Sequence, residues 1–183
     1  MSSLTILGDT SGSIVLDAPA VSGSTVLTLP ARSGTLNVGG PAFSVYNSVS
    51  NTNFSTTTWT KVLFDVEEFD TANCFSSSRF TPNVAGYYQI SCAVNLSNTT
   101  NLASANQVQI FKNGTFYKAG KINMGSATIN DTIICVSSLV YLNGSTDYVE
   151  VYCYEVAGGQ PVYVGASGRP DICYFNGCLV RAA

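Results

Sequence analysis

The chain has 183 residues, 45% of them hydrophobic, with a net charge of −3, only 10% charged residues and no histidine. Average soluble domains carry roughly 25% charged residues, so this composition argues against a coiled coil or helical bundle, while the abundant Val, Thr, Tyr and Phe suit pleated strands. It also excludes chemistry that needs an imidazole, offers no basic stripe for a nucleic-acid partner, and contains no apolar run near the about 18 residues of a membrane-crossing helix.

Residues 1–40 read differently from the rest. The start, Met1–Thr10, lacks a basic region followed by a long apolar stretch, so it is not expected to be a signal peptide. Short apolar pieces follow one another at Leu4–Leu7, Ser13–Leu16 and Thr25–Leu29, and no aromatic residue precedes Phe43. Strands this short and plain cannot close a core alone. They are expected to pack against copies of themselves as an attachment and oligomerisation stem. Gly39-Gly40-Pro41 then marks a boundary.

From residue 41 the aromatic residues arrive. Ala42–Tyr46 alternates, and Trp59–Val66 is a second strand region. Residues 82–86 make a turn, and Tyr87–Val94 is a long strand. Gln107–Phe111 and Thr115–Lys118 flank Asn113-Gly114, the strongest short hairpin signal. Thr132–Val136, Ser138–Leu142, Tyr148–Val156, Val162–Val164, Ile172–Phe175 and Cys178–Val180 complete the series. Turns at roughly ten-residue intervals predict an all-β sandwich or jelly roll over residues 41–183.

The six cysteines contain no Cys-x-x-Cys and mostly fall inside apolar alternation, as in Ile90, Cys92 and Val94 or Val149, Val151 and Cys153. They are read as buried free thiols, with synthesis in a reducing compartment. Cys173–Cys178 is the pair best placed to be a disulfide exception. The densest acidic run is Asp65, Glu67, Glu68 and Asp70. A glycosidase needs two carboxylates about 5–9.5 Å apart in a cleft, and Asp65 and Glu67 share a strand face. No cluster of Trp accompanies them, because Trp59 is the sole tryptophan. The favoured reading is a solvated face, with a calcium site built from these oxygens as the alternative. No catalytic residue, metal or cofactor is assigned.

Several segments resemble the jelly-roll superfamily of complement globular heads and tumour necrosis factor. Phe80–Ser91 (FTPNVAGYYQIS) is similar to its F-x-x-P-x-x-G-x-Y signature at Phe80, Gly86 and Tyr88, with Pro82 one place early. Trp59–Asp65 resembles the entry strand. Val108–Gly114 resembles V-x-L-x-K-N-G, Leu142–Val149 resembles L-x-x-G-D-x-V with a turn two residues longer, and Tyr174–Val180 resembles the closing F-S-G-x-L-L. The resemblance implies a tumour-necrosis-factor-like head and a homotrimer. It implies that Tyr88, Tyr152 and Tyr154 line the three-fold interface; the alternative for this tyrosine stripe is an intramolecular second face.

Gly12–Pro19 and Ser24–Leu36 (STVLTLPARSGTL) resemble a stretch that precedes fibre or knob domains in tailed-bacteriophage structural proteins. That likeness implies a virion protein assembled in the host cytoplasm, with Leu27, Leu29 and Leu36 in particle attachment. The expected partners are further copies of the chain, other virion proteins of capsid or tail, and a host surface glycan. Nucleic acid and membrane are not expected. Two functions stay open: a homotrimeric capsid fibre, knob or decoration protein, and a receptor-binding tip of the tail.

Overall fold

The computed structural model describes residues 3–7, 11–17, 39–49, 57–98, 105–123, 131–156, 162–165, 169 and 171–183. The chain divides into two compact units, Met1–Thr35 and Leu36–Ala183. In the first, β1 (Ser3–Leu7) pairs antiparallel with β2 (Ser13–Asp17). An isolated two-stranded hairpin is marginal in water. Leu27, Leu29 and Leu36 lie outside the described residues.

The second unit is an antiparallel sandwich. Its strands are β3 (Ala42–Tyr46), β4 (Thr60–Lys61), β5 (Val66–Asp70), β6 (Phe75–Ser76), β7 (Arg79–Phe80), β8 (Ala85–Asn98), β9 (Ala105–Lys112), β10 (Thr115–Asn123), β11 (Asp131–Asn143), β12 (Val149–Val156), β13 (Val162–Val164) and β14 (Tyr174–Ala182). One sheet runs β10-β9-β12-β7-β6 with β4 beside β12. The other runs β11-β8-β14-β3-β5 with β13 beside β8. This is the jelly roll that the strand series predicted.

Two details differ from the sequence reading. Residues 59–66 are not one strand. Lys61 pairs with Tyr152 in the first sheet, whereas Val66 pairs with Tyr46 in the second, so the segment between them crosses the sandwich. Val62 and Phe64, at 1% and 7% exposure, enter the core on the way. Conversely, Thr132–Val136 and Ser138–Leu142 merge into the single strand β11, which pairs with β8 without interruption from Asp131↔Ser97 to Asn143↔Ala85.

The core lies between the sheets and is aromatic at its centre. The Phe43 ring stacks on Phe80 at 4.3 Å and meets the edge of Phe175 at 4.9 Å. Ile90, Val94, Ile110, Val149 and Val151 fill the space around them, all fully buried. The Asn113-Gly114 hairpin forms as its sequence demands, with φ of 52° and 74°. Both central residues of a type I′ turn need positive φ. Gly120 on β10 has a different role. A Cβ there would stand 2.8 Å from Ile134 Cγ2, so its absence lets β10 approach β11 and close one side of the sandwich.

Candidate functional site

Each sheet presents an outer face, and the two faces differ in chemistry. On β8 the even residues Tyr88, Ile90, Cys92, Val94 and Leu96 point inward and are buried. The odd residues point outward. Across the ladder, Tyr87 stands opposite Tyr141 and Gln89 opposite Leu139. Tyr87 and Tyr141 are 43% and 40% exposed, with ring centroids 5.5 Å apart. Ile133, Leu139, Phe69 and Val180 are also about half exposed. Between these apolar groups lies a narrow polar strip. Gln89 Nε2 donates to Ser137 Oγ at 2.7 Å, and the Ser91 and Ser137 hydroxyls are 2.8 Å apart. Ala42, Phe69, Ser91, Asn176 and Cys178 help line a shallow depression of about 390 Å³ on the same face.

The other sheet carries a ring cluster. β12 turns Glu150, Tyr152 and Tyr154 outward, with Tyr148 just before the strand, and β9 turns Gln107, Gln109 and Phe111 outward. The two-residue hairpin turn places Phe116 opposite Phe111. Trp59 packs on Tyr154 at 5.1 Å, on Phe116 at 5.3 Å and on Phe111 at 5.8 Å. Phe111 lies 4.0 Å from Tyr152. Beside the rings, Glu150 is 2% exposed although it sits on an outer face. Lys61 Nζ and Arg79 Nε donate to Glu150 Oε1 at 2.7 and 2.8 Å, and the Tyr152 hydroxyl reaches Oε2 at 3.4 Å. The Arg79 guanidinium covers the Tyr148 ring at 3.9 Å. Burial raises the Glu150 carboxyl, but the bonds from Lys61 and Arg79 outweigh it and hold the group below the usual range. Burial and the Glu150 charge raise the Tyr152 phenol.

The three tyrosines expected at a common interface are not brought together. Tyr88 is 0% exposed and faces the core, where its ring meets Phe80 at 5.5 Å and its hydroxyl donates to the Val84 carbonyl at 2.7 Å. Burial pushes its phenol up to about 12. Tyr88 therefore cannot line a contact between chains; its neighbour Tyr87 occupies the outer face. Tyr152 and Tyr154 stand on the outer face of the opposite sheet.

Most carboxylates of the acidic run serve local structure. Asp65 accepts from the Ser48 amide and hydroxyl, Glu68 from the Ser44 hydroxyl at 2.6 Å, and Asp70 from the amides of Ala72 and Phe75. Partial burial raises Asp65, but the Ser48 bonds bring it below the ordinary carboxylate value. Among the described residues, no three His, Cys, Asp or Glu side chains gather as a metal-ligand group.

All six cysteines are free. Cys74, Cys92, Cys153 and Cys173 are buried as expected, and Cys135 and Cys178 are exposed. The Cys173–Cys178 exception is not formed. The two residues are an odd number of positions apart along an extended segment, so one points into the core and the other out. Burial pushes the Cys92 and Cys173 thiols up to about 12.

The sequence reading missed Lys61, Arg79, Phe111 and Phe116 as surface partners of the β12 tyrosines. Part of the signal was present: a two-residue Asn-Gly turn sets 111 opposite 116. The pairing of β4 with β12 carried no sequence signal.

No protein-family model and no curated protein matches the chain. Solved structures do. The globular domain of a zebrafish complement 1qA protein aligns with TM-score 0.54 at 16% identity, over 78% of this chain and 99% of that one. The tumour necrosis factor Eiger from S. frugiperda aligns with TM-score 0.57 at 9% identity, over 79% and 95%. Murine APRIL aligns with TM-score 0.53 at 12% identity, over 77% and 99%. The fold is thus the complement-1q and tumour-necrosis-factor-like jelly roll.

Proposed function

We propose that the chain is a non-enzymatic structural protein of a phage virion, a homotrimer whose jelly-roll heads associate through the outer face of the β11-β8-β14-β3-β5 sheet. The observation that carries the association is the row of half-exposed apolar side chains there, with Tyr87, Leu139 and Tyr141 at its centre. Large apolar groups clustered on one side of a soluble domain mark a contact surface. Three-fold packing comes from the superfamily resemblance. The virion setting rests on the Gly12–Pro19 and Ser24–Leu36 segments, which resemble phage stems. Residues 1–40 attach the head to the particle.

Light scattering on the full chain tests the association. A trimeric mass supports it, and Leu139→Glu with Tyr141→Glu should give monomers that remain folded. A wild-type monomer at micromolar concentration overturns it. Immunogold labelling of virions tests the location. Label over the capsid supports a fibre, knob or decoration protein. Label at the tail tip supports the second reading, a receptor-binding protein for a host surface glycan. The Trp59 ring cluster, which lies on the sheet opposite the association face, favours that second reading.

A further inference from the structure

We infer that the outer face of the β10-β9-β12 sheet, from Arg79 to Trp59, is a binding site for an acidic oligosaccharide. The inference rests on this face alone and not on where in a virion the chain sits.

The site combines two kinds of group. The first is apolar: Phe116 is 57% exposed and Trp59 is partly exposed, and their rings are held by Phe111 and Tyr154 rather than left free to rotate. The C–H faces of a pyranose stack on such rings, because the ring face is apolar and carries partial negative charge. Pre-packed rings lose little entropy when a ligand arrives.

The second group is cationic and fixed. Glu150 is nearly inaccessible, so it positions its neighbours rather than contacting a ligand. It ties down Arg79 through Nε and Lys61 through Nζ. Ser77 O takes a second Lys61 donor at 2.7 Å. The Arg79 side chain is still 43% exposed. With Nε engaged on Glu150, the Nη pair is the fork left to meet a carboxylate. Lys121 joins the same face through its register with Gln107, which in turn stands opposite Tyr154. Among the described residues placed on this face, Lys61, Arg79 and Lys121 are cationic and Glu150 is the one anion, on a chain of net charge −3. That local excess of positive charge selects a negatively charged occupant.

Size follows from the strand. Glu150 and Tyr154 are four residues apart, about 13 Å, so the occupant is an oligosaccharide rather than one sugar. Gln107 and Gln109 lie along this span and present amides to its hydroxyl groups.

Trp59 is the sole tryptophan, so its emission reports the site directly. The full-length protein is screened on an array of acidic and neutral glycans, then titrated with oligogalacturonate and with a maltooligosaccharide of equal length. An acidic glycan should bind and shift Trp59 emission to saturation, with the neutral chain weaker by about tenfold or more. Arg79→Gln and Phe116→Ser should each weaken binding by about tenfold or more, with the oligomeric mass unchanged. Arg79→Lys, which keeps the charge and loses the fork, should fall between. The inference is overturned if no acidic glycan binds, if neutral glycans or single-stranded oligonucleotides bind equally, or if Phe116→Ser binds as wild type. Loss of the oligomer in Phe116→Ser would also overturn it, by making this face an interface. A wild-type monomer that binds acidic glycan would remove the proposed trimer and leave this site standing.

Discussion

Tyr87 and Tyr88 are adjacent on β8 and lie on opposite sides of their sheet. Tyr87 meets Tyr141 outside at 5.5 Å, and Tyr88 is sealed in the core with its hydroxyl on Val84 O at 2.7 Å. The strand's two-residue period divides the work: one tyrosine is available for contacts between chains, and the other holds this chain together.

Substitutions at the two positions should therefore separate. Tyr88→Phe removes one buried hydrogen bond and should cost about 1 kcal/mol of stability without changing the oligomeric mass. Tyr87→Ser should leave urea unfolding of the head nearly unchanged and weaken association. Paired denaturation and light-scattering measurements check both. Dissociation by Tyr88→Phe would contradict the buried assignment.

Thiol labelling should follow burial. Cys135 and Cys178 lie on the proposed association face and are the exposed pair. In the Leu139→Glu, Tyr141→Glu variant they should alkylate fast, and in the wild type, if it forms the proposed trimer, slowly. Cys92, Cys153 and Cys173 should stay unlabelled in both until the protein is denatured, because burial keeps these thiols protonated and out of reach. Mass spectrometry of the alkylated peptides distinguishes the sites.

Acid should weaken the sandwich partly through Glu150. Its folded value lies below the ordinary 4.5. The unfolded chain therefore takes up the proton first, so the contribution is fully present above pH 4.5 and is lost as pH falls through the folded value. Melting temperature should drop across that window in the wild type and drop less in Glu150→Gln. Glu150→Gln should also be less stable than wild type at pH 7, since Lys61 and Arg79 lose their anionic partner. Asp65 and Asp147 are lowered in the same direction, so some slope should persist.

Gly120→Ala should destabilise the head by about 1–3 kcal/mol. Its Cβ would fall 2.8 Å from Ile134 Cγ2 and 3.2 Å from the Cys135 carbonyl, with backbone on one side and a packed side chain on the other. Urea unfolding of the variant checks the value, and a cost near zero would mean that β10 and β11 can part without loss.

Much of the sandwich was legible in the sequence. Alternation in Tyr148–Val156 placed Val149, Val151 and Cys153 on one face, and the structure buries all three. Asn113-Gly114 set the β9–β10 hairpin and the pairing of Phe111 with Phe116. The crossing at Val62–Asp65 was not legible, because an alternating apolar pattern looks the same whether one strand stays in its sheet or passes through the core to the other.

The sequence by itself determined the strand-forming composition, the turn positions and the period that splits each strand into two faces, since these depend on neighbours a few residues apart. Low charge and absent histidine excluded helical bundles and imidazole chemistry at the same level. Only the tertiary structure decided which face of β8 meets the core. Gly86-Tyr87-Tyr88 offers a large ring to either side, and parity separates faces without labelling them. It also decided which distant strands lie side by side. Lys61, Arg79 and Glu150 come together because β4 and β7 both pair with β12, a long-range arrangement fixed by closing one core and written in no local pattern.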